Sequence, residues 1–313
     1  MPEMPISGND LARFSGPQTF MRLPEASSAK WLDVGFIGVP MDIGTSWRSG
    51  TRFGPKQLRQ ESAMIRPYNV QTGAAPFDAL HCADLRDVPI NTFSLSDTLR
   101  IIKETFDAHL KHDFVPMTLG GDHSLTLPVL RAIAEKHGPV ALIHVDAHAD
   151  VNDEMFGERE THGTVFRRAY EEGLITADKV FQIGLRGTGY TADDFREAAG
   201  WGFQQWLAPD LWHKSLTPLA VEIRQHIGDQ KTYITYDIDS LDPAFAPGTG
   251  TPEIGGLTTA QAMELIRGLR GLNIVGCDLV EVSPPYDPSG NTALTGANLM
   301  FEMLSILPGV PLR

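Results

Sequence analysis

The sequence predicts an α/β fold, a mostly parallel sheet with helices on both faces. Three observations carry that reading. Short apolar runs of strand length alternate about eight times with segments of helical periodicity, the beat of parallel strands joined by crossover helices. The 313 residues are 42% hydrophobic, which suffices for one large core. No internal repeat, low-complexity run or break in composition divides the chain beyond its Pro-rich start, so one domain is expected. Eight strand–helix units can also close into a barrel, and the pattern alone does not order the strands.

Residues 1–32, with Pro2, Pro5, Gly8, Pro17 and Pro24, read as an irregular N-terminal arm, and 33–313 as the domain. The first strand is 34–39. A long loop containing Gly44 and Gly50 follows, and Pro55 in a first-turn position opens a helix over 55–64. A weak strand covers 80–88. Leu95, Leu99, Ile102, Phe106 and Leu110 recur at helical spacing within 94–112. Strand 114–119 leads to a helix over 125–137, and the apolar run 140–145 reads as the central strand. After a polar loop over 150–162, helix 164–172, strand 180–185, helix 191–199 and strand 203–207 follow. Helix 216–227, strand 232–236, helix 258–268 capped by Thr258, strand 274–282 and helix 292–304 complete the chain.

The net charge of −13 argues against nucleic acid and anionic membrane surfaces as partners. Cys82 and Cys277 are the only cysteines and form no Cys-x-x-Cys, so neither a redox pair nor a thiolate zinc site is expected. No basic-then-apolar leader opens the chain and no apolar run approaches membrane-spanning length. A cytoplasmic protein without a membrane partner is the expectation.

Ligand-type residues gather at three strand ends. The central strand runs into Asp146-Ala147-His148-Ala149-Asp150, whose polar residues alternate and would share one face if the strand ran straight. The strand at 232–236 runs into Asp237-Ile238-Asp239-Ser240-Leu241-Asp242, and the strand at 114–119 into Gly120-Gly121-Asp122-His123. A salt-bridge network would explain buried acids. However, no Lys or Arg lies between Gly138 and Glu158 or between Thr232 and Phe245. Crowded carboxylates without cations repel and push one another's pKa values up. Two divalent ions would balance Asp146, Asp150, Asp237 and Asp239, with His123 and His148 as neutral nitrogen donors and a bridging hydroxide as the nucleophile. Carboxylate and imidazole without thiolate favour Mn²⁺-like ions over structural zinc, with nickel, cobalt and catalytic zinc left open.

These three motifs resemble the metal signatures of the ureohydrolases, the arginase and agmatinase family, over about residues 33–305. The resemblance implies a single three-layer α/β/α domain with an eight-stranded parallel sheet, which favours the open sheet over the barrel. It implies two Mn²⁺ per chain. His123, Asp146, Asp150 and Asp237 would hold one, and Asp146, His148, Asp237 and Asp239 the other. His162 resembles the family's proton shuttle and Glu281 its guanidinium-gripping carboxylate, with Asp239 or His162 as the proton relay to the departing amine. A homo-oligomer, trimer or hexamer, is also implied.

The resemblance leaves the substrate's tail to be read from individual residues. Arginases place an acid directly after Gly-Leu-Arg to hold the substrate's α-amino group, whereas Gly187 follows Gly184-Leu185-Arg186 here. Asn152 matches a carboxylate-contacting position, and Met155 and Tyr190 are expected in the tail pocket, Met155 against a methylene chain. The wider pattern resembles the agmatinase branch, which implies cleavage of 4-guanidinobutyrate to 4-aminobutyrate and urea. Agmatine, attracted by Asp153, Glu154 and Glu158, and 3-guanidinopropionate are the alternatives within the class. A single-metal deacetylase of related fold and a non-catalytic metal-binding subunit are the alternatives outside it.

Overall fold

A computed structural model of the chain describes residues 4–191 and 194–313. Eight strands form one sheet: β1 (Val34–Gly38), β2 (Cys82–Asp87), β3 (Val115–Leu119), β4 (Val140–Val145), β5 (Ile175–Leu185), β6 (Gln204–Leu207), β7 (Lys231–Asp237) and β8 (Asn273–Val280). Every pairing is parallel, in the order β2-β1-β3-β8-β7-β4-β5-β6. The sheet is open, with β2 and β6 at its edges, so the barrel is excluded. The helices are α1 (Gly54–Ser62), α2 (Leu95–His109), α3 (Thr126–His137), α4 (Val165–Glu171), α5 (Arg196–Gly200), α6 (Ala208–Leu211), α7 (Thr217–Ile227), α8 (Thr259–Gly268) and α9 (Asn291–Ser305).

Two cores flank the sheet and make three layers. Helices α1 and α6–α9 cover one face and α2–α5 the other. Strand β4 shows why both faces are apolar: Ala141, Ile143 and Val145 join the first core while Val140 and Leu142 join the second. Local chemistry sets the helix starts. Ser94 Oγ accepts from the Asp97 amide at 3.2 Å to cap α2, and Thr258 and Gln261 form a reciprocal capping box before α8. No helix among the described residues is long and apolar enough to cross a membrane.

Three elements differ from the sequence reading. Strand β5 starts at Ile175 because Ile175 pairs with Val140, and the polar Thr176, Asp178 and Lys179 hide that start. Among the described residues of the helix expected over 191–199, only those within α5 are helical. Asp194 accepts the amides of Tyr190 and Thr191 at 2.6 and 2.9 Å, while residues 192 and 193 lie outside the described ones. The short α6 carries no periodicity to announce it.

Within the Pro-rich segment, Phe20 and Leu23 are fully buried, and Phe20 stacks on Phe36 of β1 at 4.3 Å. The Phe20 amide donates to Asp84 Oδ2 at 2.8 Å, and Arg59 of α1 grips the same carboxylate at 2.8 and 3.0 Å. The pair is buried, so removing the cation strands an anion. Arg59→Leu should lower unfolding free energy by about 3–5 kcal/mol, read from the urea midpoint of the metal-loaded protein.

Candidate metal centre

Four neighbouring strands, β3, β8, β7 and β4, deliver the candidate site from their carboxyl ends. The chain leaves β3 and returns as β4 three places along, with β8 and β7 filling the gap between them. In open α/β sheets the crevice at such a switch point is where ligands sit. Gly121 makes the approach possible. A Cβ there would lie 2.0 Å from the Met41 carbonyl oxygen, so the turn after β3 packs directly on the loop after β1.

The six expected ligand residues converge, though not by strand alternation. Strand β4 ends at Val145 and the chain turns. The His148 amide donates to Asp146 Oδ1 at 2.7 Å, and Asp150 takes a left-handed φ of 51°. Asp237 closes β7, and its Oδ1 accepts the Asp239 amide at 2.8 Å to start a 3₁₀ turn. Turning, not pleating, brings these groups together. The left-handed Asp150 and the left-handed Glu281, at 64°, are the kind of backbone strain that collects at functional sites.

His123 Nδ1 lies 3.2, 3.1 and 3.2 Å from carboxylate oxygens of Asp146, Asp150 and Asp237. His148 Nδ1 lies 3.1 Å from Asp239 and 3.4 Å from Asp146. Asp146 thus faces both imidazoles, Oδ2 toward His123 and Oδ1 toward His148. Among the described residues, the direct ion pairs of these four acids are with imidazole and none is with Lys or Arg. Asp242 stands apart, its carboxylate accepting the amides of Ala244 and Gly255.

The donor set fits divalent cations. His123 Nδ1 is buried and has no hydrogen-bond partner, although three carboxylates surround it. One N–H could serve only one of them. Donors on adjacent vertices of an octahedron with bonds of about 2.1 Å stand about 3 Å apart, the spacing seen here. The far nitrogen is fixed from behind. His123 Nε2 is 2.9 Å from Thr235 Oγ1, which donates to Asp278 Oδ1 at 2.6 Å. Asp278 also accepts from Thr126 and Tyr233, so Thr235 has its proton engaged and His123 must donate from Nε2, which leaves the Nδ1 lone pair facing the acids.

Without cations the electrostatics are severe. Burial, then the carboxylates of Asp239 and Asp146, push the Asp237 carboxyl well above its ordinary range. Burial opposes charge on His123 and His148, yet the acids around them raise both imidazoles well above normal. Burial disfavours the Asp146 anion, but His144, His123 and His148 hold its carboxyl well below the usual range.

Glu281, just past the end of β8, is buried. Its Oε1 accepts the His123 amide at 2.9 Å, while Oε2 is buried without a partner. His162 sits in the 3₁₀ turn before α4, its Nδ1 3.6 Å from Glu281 Oε1 and its Nε2 2.7 Å from Ser46 Oγ. Burial works against a charged imidazole there, but Glu281, aided by Asp150 and Asp122, pushes the pKa up to about 9. Ser46 belongs to the loop after β1, which Asp122 ties down by accepting the Gly44 amide at 2.9 Å. That loop therefore borders the site.

A cleft of about 820 Å³ opens from this centre, and Asn152, Met155 and Tyr190 all line it. The Asn152 amide donates to the Gly163 carbonyl at 3.0 Å. Met155 packs on Gly163, where a Cβ would meet its sulfur at 2.5 Å, and Tyr190 is fully exposed at the rim. Sequence reasoning missed Glu253, whose carboxylate fills the space beside Gly187. It also missed Ser46, Asp278 and His144; only His144 left a signal, alternating with Asp146 in the central motif. Arg186 is scaffold. It donates to the carbonyls of Asp239, Ser240 and Glu253 at 2.6, 3.0 and 2.7 Å and clamps the turn after β7.

The open parallel sheet with a carboxylate and imidazole centre at its switch point is that of an arginase-type hydrolase fold. Residues 32–305 match the family model described as "Arginase family". The chain is 61% identical over 312 residues to a guanidinobutyrase of Pseudomonas aeruginosa, covering 99% of this chain and 98% of that protein. It is 56% identical to a mitochondrial agmatinase of Gallus gallus over 98% of this chain and 90% of the relative. Among solved structures, proclavaminate amidino hydrolase from Streptomyces clavuligerus superposes with a TM-score of 0.89 at 38% identity, over 94% of this chain and 99% of that one. The chain belongs to the arginase family.

Proposed function

We propose that this chain hydrolyses 4-guanidinobutyrate to 4-aminobutyrate and urea with two divalent ions, Mn²⁺ by preference. The single observation that carries the guanidinium part is Glu281: a buried carboxylate with one oxygen anchored and the other unpartnered. His123, Asp146, Asp150 and Asp237 would hold one ion, and Asp146, His148, Asp237 and Asp239 the other. When bound, the ions would lower the pKa of the attacking water toward neutrality.

Glu281 orients the planar cation through charge-assisted hydrogen bonds and presents its central carbon to the floor of the cleft. Water adds to that carbon, the bond to the tail nitrogen breaks, and the leaving amine takes a proton. His162, charged at neutral pH by its raised pKa, can donate that proton from the cleft wall, with Asp239 as the other relay. Asn152, Met155 and Tyr190 flank the tail, Met155 against its methylenes.

Support for a carboxylate tail is the guanidinobutyrase relative together with Gly187, which itself carries no acid to hold an α-amino group. Agmatine is the second reading, favoured by the Glu253 carboxylate beside Gly187 and by the agmatinase relative. Urea release by Mn²⁺-loaded protein should be fastest, by kcat/KM, on 4-guanidinobutyrate when compared with agmatine, 3-guanidinopropionate and arginine. Faster turnover of agmatine would reverse the choice of tail.

His162→Asn should lower kcat by roughly 10²–10⁴-fold. In the unsubstituted protein a charged His162 is present below its folded pKa and lost as pH rises through about 9. Its rate profile should therefore fall on the alkaline side near pH 9, and that limb should vanish in His162→Asn. A homo-oligomer, trimer or hexamer, in the cytoplasm completes the proposal by family resemblance, and light scattering on the eluting protein tests the assembly.

A further inference from the structure

The geometry points to His144 as a positioning residue that holds Asp146 from behind and takes no place among the metal ligands. His144 lies on β4 two residues before Asp146 and is fully buried. Its Nε2 is 2.7 Å from Asp146 Oδ2 and its Nδ1 is 3.1 Å from Gln182 Nε2. Distance alone admits it as a ligand, since one of its ring nitrogens, a ring nitrogen of His123 and carboxylate oxygens of Asp146 and Asp150 all lie within 4.8 Å of one another.

Hydrogen-bond logic decides otherwise. Gln182 Nε2 also lies 2.8 Å from the Ala149 carbonyl oxygen, which can only accept, so the NH₂ end of the amide faces that way. The other end, Oε1, accepts from Gln205 Nε2 at 2.8 Å, as the orientation requires. One amide hydrogen of Gln182 goes to Ala149 and the other to His144 Nδ1. His144 Nδ1 is therefore an acceptor, the ring proton sits on Nε2, and that proton points at Asp146 Oδ2. Neither nitrogen keeps a free lone pair for a metal.

The ring is held in place. Phe166 lies against it at 4.0 Å between centroids, and His123 meets it edge-on at 5.4 Å. Asp146 is the acid that faces both His123 and His148, so fixing its plane fixes the relation between the two halves of the centre. The chain Gln205, Gln182, His144, Asp146 thus runs from the edge strand β6 through β5 to β4 and delivers one directed hydrogen bond. Outer-sphere partners of this kind set ligand orientation and metal affinity.

This inference rests on the metal-site reading, and the test separates the two. Full-length protein loaded with Mn²⁺ is equilibrated against graded chelator, and retained Mn²⁺ per chain is measured. His144→Phe keeps a ring and removes both polar atoms. His144→Gln restores an N–H for Asp146 and a carbonyl for Gln182, but offers no imidazole nitrogen. The expected result is affinity about 10–100-fold weaker in His144→Phe, and within a few-fold of the parent in His144→Gln. Should His144→Phe fail to fold, Gln182→Met releases the tautomer from one element away and should weaken Mn²⁺ retention severalfold. His144→Gln as weak as His144→Phe would make the imidazole a ligand and overturn the inference. Parent-like retention in His144→Phe, or in Gln182→Met, would overturn it while leaving the metal site standing. A parent protein that retains no Mn²⁺ would overturn the site reading and this inference with it.

Discussion

Asp237→Asn is expected to move activity and metal-free stability in opposite directions. Asp237 lies 3.2 Å from His123 Nδ1 and shares its neighbourhood with Asp146 and Asp239, so its carboxylate belongs where charge is densest. With metal present, the substitution would remove a carboxylate from the set proposed to hold both ions. Loss of several kcal/mol of transition-state stabilisation corresponds to about 10³-fold or more in kcat. Without metal, the sign reverses. Burial and the neighbouring acids push the Asp237 carboxyl well above its ordinary range, so folding at neutral pH opposes its ionisation. An amide of the same shape has no such charge, and its Oδ1 still accepts the Asp239 amide. Chelator-treated Asp237→Asn should therefore unfold at a higher urea concentration than the chelator-treated parent. A lower midpoint would mean that these acids are stabilised by something other than cations.

Glu281→Gln should separate substrate recognition from metal binding. The glutamine Oε1 still accepts the His123 amide, so the backbone of a candidate ligand stays in place. The second oxygen, buried and unpartnered, becomes an NH₂ group that meets the guanidinium donor to donor. Removing one side of a buried charge pair costs about 2–5 kcal/mol, roughly 10²–10³-fold in kcat/KM. Mn²⁺ per chain should not change. If kcat/KM stays within threefold of the parent, Glu281 does not bind the guanidinium. If Mn²⁺ is lost, the residue serves the metals instead.

The strand–helix beat and the acids at three strand ends were legible because each is written within a short stretch of chain. The order of the strands was not. It depends on β7 and β8 inserting between β3 and β4, and nothing near His123 or Asp146 announces what will come between them. The convergence of Asp146, His148 and Asp150 was read from alternation, yet it arises from a turn that starts where β4 ends and from the left-handed backbone of Asp150. Periodicity carries no information about such a turn. Asp278, Ser46 and Glu253 were illegible for a related reason. Each acts across the sheet or between loops, on a partner distant in sequence, as when Asp278 steadies His123 through Thr235. His144 stood in plain view in the central motif, but in an otherwise apolar strand it reads as a packed residue until Gln182 is seen beside it.

The most direct test is the metal content of the purified, Mn²⁺-equilibrated chain, measured by elemental analysis alongside protein concentration from amino-acid analysis. The site proposed from His123, His148 and the four aspartates predicts two ions per chain, falling below one in Asp146→Asn because that residue faces both imidazoles. A parent that is fully active with one ion or none, or an Asp146→Asn protein that keeps both, would contradict it.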